Sequence, residues 1–150
     1  MISICVIGAG TMGSGIAQTS AQNGFNTLLF DINTEVVEKA KAAINKSLDF
    51  LVSKEKITSP EKEAIQNRIQ FITNIQQCRA DVIIEAIVEK TEAKVSIFNQ
   101  LAAINNSDTI FASNTSSLST GPSMLSSFNA FSISYRYLKM LLFNTYKYSK

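Results

Sequence analysis

Apolar positions fall into short continuous runs separated by longer stretches of helical period, the pattern of a parallel sheet covered by helices. Ile2-Ser-Ile-Cys-Val-Ile7 is too continuously apolar for a half-exposed strand and predicts a central strand covered on both faces. A helix is predicted from Met12 to about Asn23, ended by Gly24 at a position suited to a left-handed cap. Thr27-Leu-Leu-Phe30 predicts a second strand, closed by Asp31. After Asn33-Thr34, residues Val36, Val37, Ala40, Ala43, Ile44, Leu48 and Leu51 recur at three- and four-residue steps and predict the buried face of a long helix. Ser59-Pro60-Glu61 starts another, with Ser59 as N-cap, Pro60 at the first helical position and an acid in the first turn; it ends near Arg68. Ile69 to Ile72, Val82 to Ile84 and Thr109 to Ala112 predict three further strands, with a helix from Thr91 to Ile104 between the last two.

The order β-α-β-α-α-β-β-α-β predicts an α/β chain: a Rossmann-type, doubly wound, mainly parallel sheet with a helical pair inserted between strands two and three. Within it, Gly8-Ala9-Gly10-Thr11-Met12-Gly13 matches GxGxxG, follows a strand and opens a helix. Asp31 stands eighteen residues after Gly13, at the end of the second strand, where a ribose-binding acid belongs. Gly8 permits the tight turn, Gly10 the close approach of backbone to a diphosphate, and Gly13 close packing of helix on strand, while the helix start offers unpaired N–H groups to the anion. The bland alternative is a glycine-rich turn with a solvated strand-end acid. Asp31 also selects between cofactors: a carboxylate about 5 Å from an added 2′-phosphate is repelled by roughly 3 kcal/mol at an effective dielectric of 20. That favours NAD, and no Arg precedes Arg68 to reverse it.

Composition narrows the classes. The chain has 150 residues, 14 Lys+Arg against 12 Asp+Glu and no His, so the commonest metal ligand and neutral-pH general base is missing. A net charge of +2 argues against nucleic acid as a partner. Cys5 and Cys78 form neither a CxxC motif nor a disulfide framework, and reduced thiols fit a cytoplasmic location. No basic residue precedes Lys39, as a signal peptide would require, and no run approaches the roughly 20 apolar residues of a membrane helix. No metal site is expected. The last thirty residues differ from the rest, with four basic side chains, no acid, and all four tyrosines (Tyr135, Tyr137, Tyr146 and Tyr148).

"VIGAGTMGSGIAQ" at Val6–Gln18, "IIEAIVEK" at Ile83–Lys90 and "ASNTSSLS" at Ala112–Ser119, in this order and spacing, resemble the N-terminal domain of 3-hydroxyacyl-CoA dehydrogenases, in particular the 3-hydroxybutyryl-CoA type. The resemblance covers roughly residues 1–120 and leaves 121–150 as a divergent tail. It implies an oxidoreductase of fatty acid or butanoate metabolism that moves a hydride between C3 of a 3-hydroxyacyl-CoA, or its acetoacetyl-CoA product, and NAD. The turn residues Gly8, Ala9, Gly10, Thr11, Met12 and Gly13, with Asp31, would hold the cofactor. Glu89 and Lys94 would border the nicotinamide ribose, with Asn114 positioning the loop that carries Ser116. Ser116 would contact the substrate oxygen, and Ser47 and Lys54 on the helical arm would contact CoA. Read from the residues alone, Lys54 and Lys94 fit solvated positions on charged helix faces, Ser47 a solvent-facing one, Ser113–Ser117 a strand-ending turn or cap, and Glu85 a structural acid.

The resemblance stops short. Family members continue into a Gly-x-His-Phe-Phe-Asn-Pro segment whose His is the general base, with a Glu that orients it, and then into a helical domain carrying most homodimer contacts. None of these is expected here; the shift in composition reads as a frame shift or fragment boundary between residues 120 and 132, and negligible turnover is expected of this chain alone. A different class of reading keeps NAD binding but makes the chain a non-catalytic, NAD-responsive module whose aromatic, basic tail contacts a partner or a surface. Disorder or makeshift packing against the sheet edge is the plainer expectation for that tail.

Overall fold

A computed structural model of the chain describes residues 2–87, 91–113 and 130–132, the side chains of 91–93 and 130–132 excepted. Strand β1 (Ser3–Ile7) lies between β2 (Asn26–Phe30) and β4 (Val82–Glu85), with β3 (Ile69–Ile72) outside β2 and β5 (Ile110–Ser113) outside β4. All these pairings are parallel, and Ile7 aligns with both Phe30 and Glu85. A further strand, β6 (Ala130–Ser132), pairs parallel with β5 and completes the order β3-β2-β1-β4-β5-β6. This strand lies within the tail and is absent from the sequence-based expectation, because Ala-Phe-Ser is too short to carry a period.

The apolar run of β1 serves two cores, as a strand covered on both faces must. Ile4 and Val6 join one cluster with Ala17, Leu29, Ile44, Leu48 and Ile84, beneath α1 (Thr11–Gln22), α2 (Thr34–Ser53) and α3 (Ser59–Asn67). Cys5 and Ile7 face the opposite cluster with Phe30, Ile83, Leu101 and Phe111, beneath α4 (Thr91–Ile104). Helices on both faces make the sheet doubly wound, and α2 with α3 forms the helical pair between β2 and β3.

Local chemistry explains most boundaries. Gly24, with φ +88°, follows α1 in the left-handed region that glycine favours. The cap of α3 is Thr58 rather than Ser59: the Thr58 hydroxyl accepts from the Glu61 N–H while the Glu61 carboxylate accepts from the Thr58 N–H. A capping box needs its acid three positions after the cap; counting from Ser59 that position is Lys62, so the start moves back one residue. Ala43 is exposed rather than buried, since successive helical residues are about 100° apart and Ala43 falls at the edge of the stripe centred near Ile44.

Candidate dinucleotide site

The carboxyl ends of β1, β2 and β4 open onto a cavity of about 540 Å³ lined by Gly8, Phe30, Asp31, Ile32, Ile75, Ile87, Ser96, Ile97 and Gln100. Open parallel sheets bind ligands at such a crevice, where the strand order reverses. Here β1 is that switch point, with β2 to one side and β4 to the other.

The glycine turn is built to bring backbone close. Gly8 has φ +101°, and its N–H donates to the Phe30 carbonyl at 2.7 Å; a Cβ there would lie 2.9 Å from the Ala86 carbonyl oxygen. A Cβ on Gly13 would lie 1.7 Å from the Gly8 carbonyl oxygen, so only glycine lets α1 pack this tightly against the turn. Gly10 differs: a Cβ there would meet nothing within 4 Å, and Gly10, Thr11 and Met12 are exposed. Helix α1 begins after Gly10 with no side-chain cap and no acid in its first turn. The N–H groups of Thr11, Met12 and Gly13 have no acceptor among the described residues, which leaves a partial positive charge facing the open side of Gly10.

Asp31 closes the other side. Its Oδ2 accepts from the Ala9 N–H at 3.0 Å and its Oδ1 from the Asn33 N–H at 3.0 Å, which orients the carboxylate at the tip of β2. A carboxylate has about four lone-pair sites, so two backbone donors leave capacity for a vicinal diol. Beside it, the apolar side chains of Ile32, Ile75, Ile87 and Ile97 suit a flat aromatic base. An anion-accepting turn, an oriented acid and an apolar slot are the parts that an adenine dinucleotide requires, and they fit one.

Other predicted site residues are placed differently from one another. Lys94 is buried, and its Nζ lies 3.3 Å from Glu85 Oε2. It is therefore not the solvated lysine that its charged helix suggests. Ser47 is half-buried and accepts from Gln18 Nε2 at 3.0 Å, tying α2 to α1 instead of facing solvent. Lys54 ends α2, exposed, with Nζ 5.6 Å from the Phe50 ring centre. Glu89, Asn114 and Ser116 lie outside the described residues. Glu85, which the residues alone suggest as a structural acid, is wholly buried at the end of the covered run Val82–Ile84 and bonded by three groups.

Cys5 and Cys78 are free and buried. The neighbouring Cys78 thiol, and then burial, push the Cys5 thiol far above its ordinary range, so it is not a thiolate nucleophile. Among the described residues no cluster of His, Cys, Asp and Glu could hold a metal, and no helix is long and apolar enough to cross a membrane.

The family model described as 3-hydroxyacyl-CoA dehydrogenase, NAD binding domain, matches residues 3–129. A probable 3-hydroxybutyryl-CoA dehydrogenase of Deinococcus radiodurans is 44% identical over 114 residues, covering 75% of this chain and 41% of the relative. Its counterpart in Bacillus subtilis is 43% identical over 116 residues, with coverage of 77% and 40%. The chain thus spans about two fifths of the length of these curated relatives. Among solved structures, (S)-3-hydroxybutyryl-CoA dehydrogenase from Ralstonia eutropha superposes with a TM-score of 0.84 at 34% identity, covering 92% of this chain and 50% of that one. With the turn, the acid, the sheet order and these matches in agreement, the chain belongs to the family of NAD-binding domains of 3-hydroxyacyl-CoA dehydrogenases.

Proposed function

We propose that this chain holds NAD for hydride exchange with C3 of a 3-hydroxyacyl-CoA, the adenosine diphosphate lying between the start of α1 and Asp31. The observation that carries this reading is the uncapped start of α1 facing an oriented carboxylate across the glycine turn. The amides of Thr11, Met12 and Gly13 bind the diphosphate, Asp31 accepts from the adenosine ribose, and the isoleucines around the cavity exclude water from the base. Bound NAD supplies the hydride acceptor. On the nicotinamide side, the resemblance supports Glu89 and Lys94 beside the ribose, and Ser116 as donor to the substrate oxygen in the loop that Asn114 helps to set. Ser47 and Lys54 on the α2 arm are proposed to contact CoA; the exposed Lys54 ammonium at the end of α2 is available to a phosphate. The reduced state of Cys5 and Cys78 fits a cytoplasmic setting.

The proton of the 3-hydroxyl needs an acceptor, and these 150 residues include no histidine. General-base catalysis contributes about a hundred- to ten-thousand-fold, so this chain alone is proposed to bind cofactor with negligible turnover. Calorimetric titration tests the reading: NADH binds with one site per chain, and NADPH binds about tenfold or more weakly because of Asp31. No binding of NADH overturns the proposal. Robust NADH formation from 3-hydroxybutyryl-CoA and NAD would overturn the claim of negligible turnover.

A further inference from the structure

Glu85 is 0% exposed, at the carboxyl end of β4, and its two oxygens reach three separate segments. Oε1 accepts from the Ile87 N–H at 2.8 Å, Oε2 accepts from the Ser113 hydroxyl at 2.5 Å, and Oε2 lies 3.3 Å from the Lys94 ammonium. Glu85 and Ser113 are register partners on adjacent strands, and Lys94 comes from the first turn of α4. A buried ion pair is a poor source of net stability, since apolar residues of equal volume usually do as well. What it does supply is fixed geometry, because breaking it leaves a buried charge without a partner.

The three partners stand at informative places. In sequence, Ile87 stands two residues before Glu89 and Ser113 directly before Asn114 and three before Ser116, while Lys94 is the residue proposed above for the nicotinamide ribose. The Asp31 carboxylate on the adenosine side, by contrast, is oriented by the Ala9 and Asn33 N–H groups, neither bonded to Glu85; among the described residues Ile87, whose side chain lines the cavity, is the one element the two sides share. We infer that Glu85 is the positioning residue of the nicotinamide half: one carboxylate that locks Lys94 and the ends of β4 and β5 into a single arrangement. This inference rests on the dinucleotide reading above.

Glu85→Gln in the full chain keeps the side chain's volume and removes its charge. The expected result, read by calorimetry, is an NADH affinity lowered about tenfold or more, the worth of a hydrogen bond to a charged group, with ADP affinity within about twofold of wild type. Adding Lys94→Met removes the unpaired ammonium and should restore the melting temperature; since Lys94 itself stands on the nicotinamide side, the discriminating readout is the split between NADH and ADP in the variants that keep Lys94. Ser113→Ala, which leaves no charge unpaired, should show the same split between NADH and ADP more weakly and serves if Glu85→Gln fails to fold. Unchanged NADH affinity in a folded variant, or equal losses for NADH and ADP, overturns the inference while leaving the dinucleotide reading intact. Wild-type protein that binds neither ligand overturns both.

Discussion

Helices α1 and α3 pack into the same core cluster on one face of the sheet, yet their first turns are finished in opposite ways. Thr58 and Glu61 close the start of α3 reciprocally, and Asn33 with Glu35 does similar work at α2, where the Asn33 side chain accepts from the Glu35 N–H at 2.9 Å. The start of α1 has glycine at the cap, no acid, and three amides without acceptors among the described residues. Every α-helix start leaves the same first N–H groups without intrahelical partners, so the difference supports the start of α1 as the proposed place of the anion. Glycine makes this possible twice over, by leaving Gly10 open to an approaching anion and by letting Gly13 pack against the turn.

Gly13→Ala should break the contrast most severely. Its Cβ would sit 1.7 Å from the Gly8 carbonyl oxygen, so α1 must move away from β1. Overpacking of this kind costs about 1–3 kcal/mol, and moving the α1 amides away from the diphosphate position lowers NADH affinity with it. Thermal melting and NADH titration should both record the loss. Gly15→Ala is the control: a Cβ there meets nothing within 4 Å, so the melting temperature should rise slightly and NADH affinity hold.

Asp31→Ala should come next. NADH affinity falls about tenfold or more, the worth of hydrogen bonds to a carboxylate, and the preference over NADPH narrows. An unchanged cofactor preference would remove Asp31 from the site.

The smallest effect belongs to the capped helix. Thr58→Ala should cost about 1 kcal/mol in denaturant titration and leave NADH affinity unchanged. The Thr58 N–H, and then its hydroxyl, hold the Glu61 carboxyl below its ordinary value of 4.5. A carboxyl lowered in the folded state contributes stability that is present above its ordinary value and disappears as pH falls through the folded one. The difference in melting temperature between wild type and Thr58→Ala should therefore shrink as the solution is acidified below pH 4.5. A gap that widens in acid would contradict this assignment of the cap.

Much of this was legible in the sequence, for a physical reason: strands covered on both faces must be apolar throughout, and Gly8 and Gly13 are forced by contacts that a side chain would not permit. Asp31 was legible because a strand-end acid follows the turn at a regular distance. The Thr58 cap was misplaced by one residue because Ser59-Pro60 mimics a start, and the deciding bond is to Glu61. Ala43 was assigned to the core by its apolar character, although its angle sets it at the stripe's edge. Lys94 could not be told from a solvated lysine, since its partner Glu85 lies on another element and pairing across elements leaves no local period. Strand β6 was missed because three residues carry no pattern; among the described residues it pairs with the edge of β5.

The most direct measurement follows backbone amide resonances while NADH is added to isotopically labelled chain. The amides of Thr11, Met12 and Gly13 should shift strongly and saturate with the calorimetric affinity, while those of Glu35 and Glu61 in the first turns of α2 and α3 stay in place. Unmoved α1 amides, or shifts of similar size at all three helix starts, would contradict the claim that the open end of α1 is where the diphosphate binds.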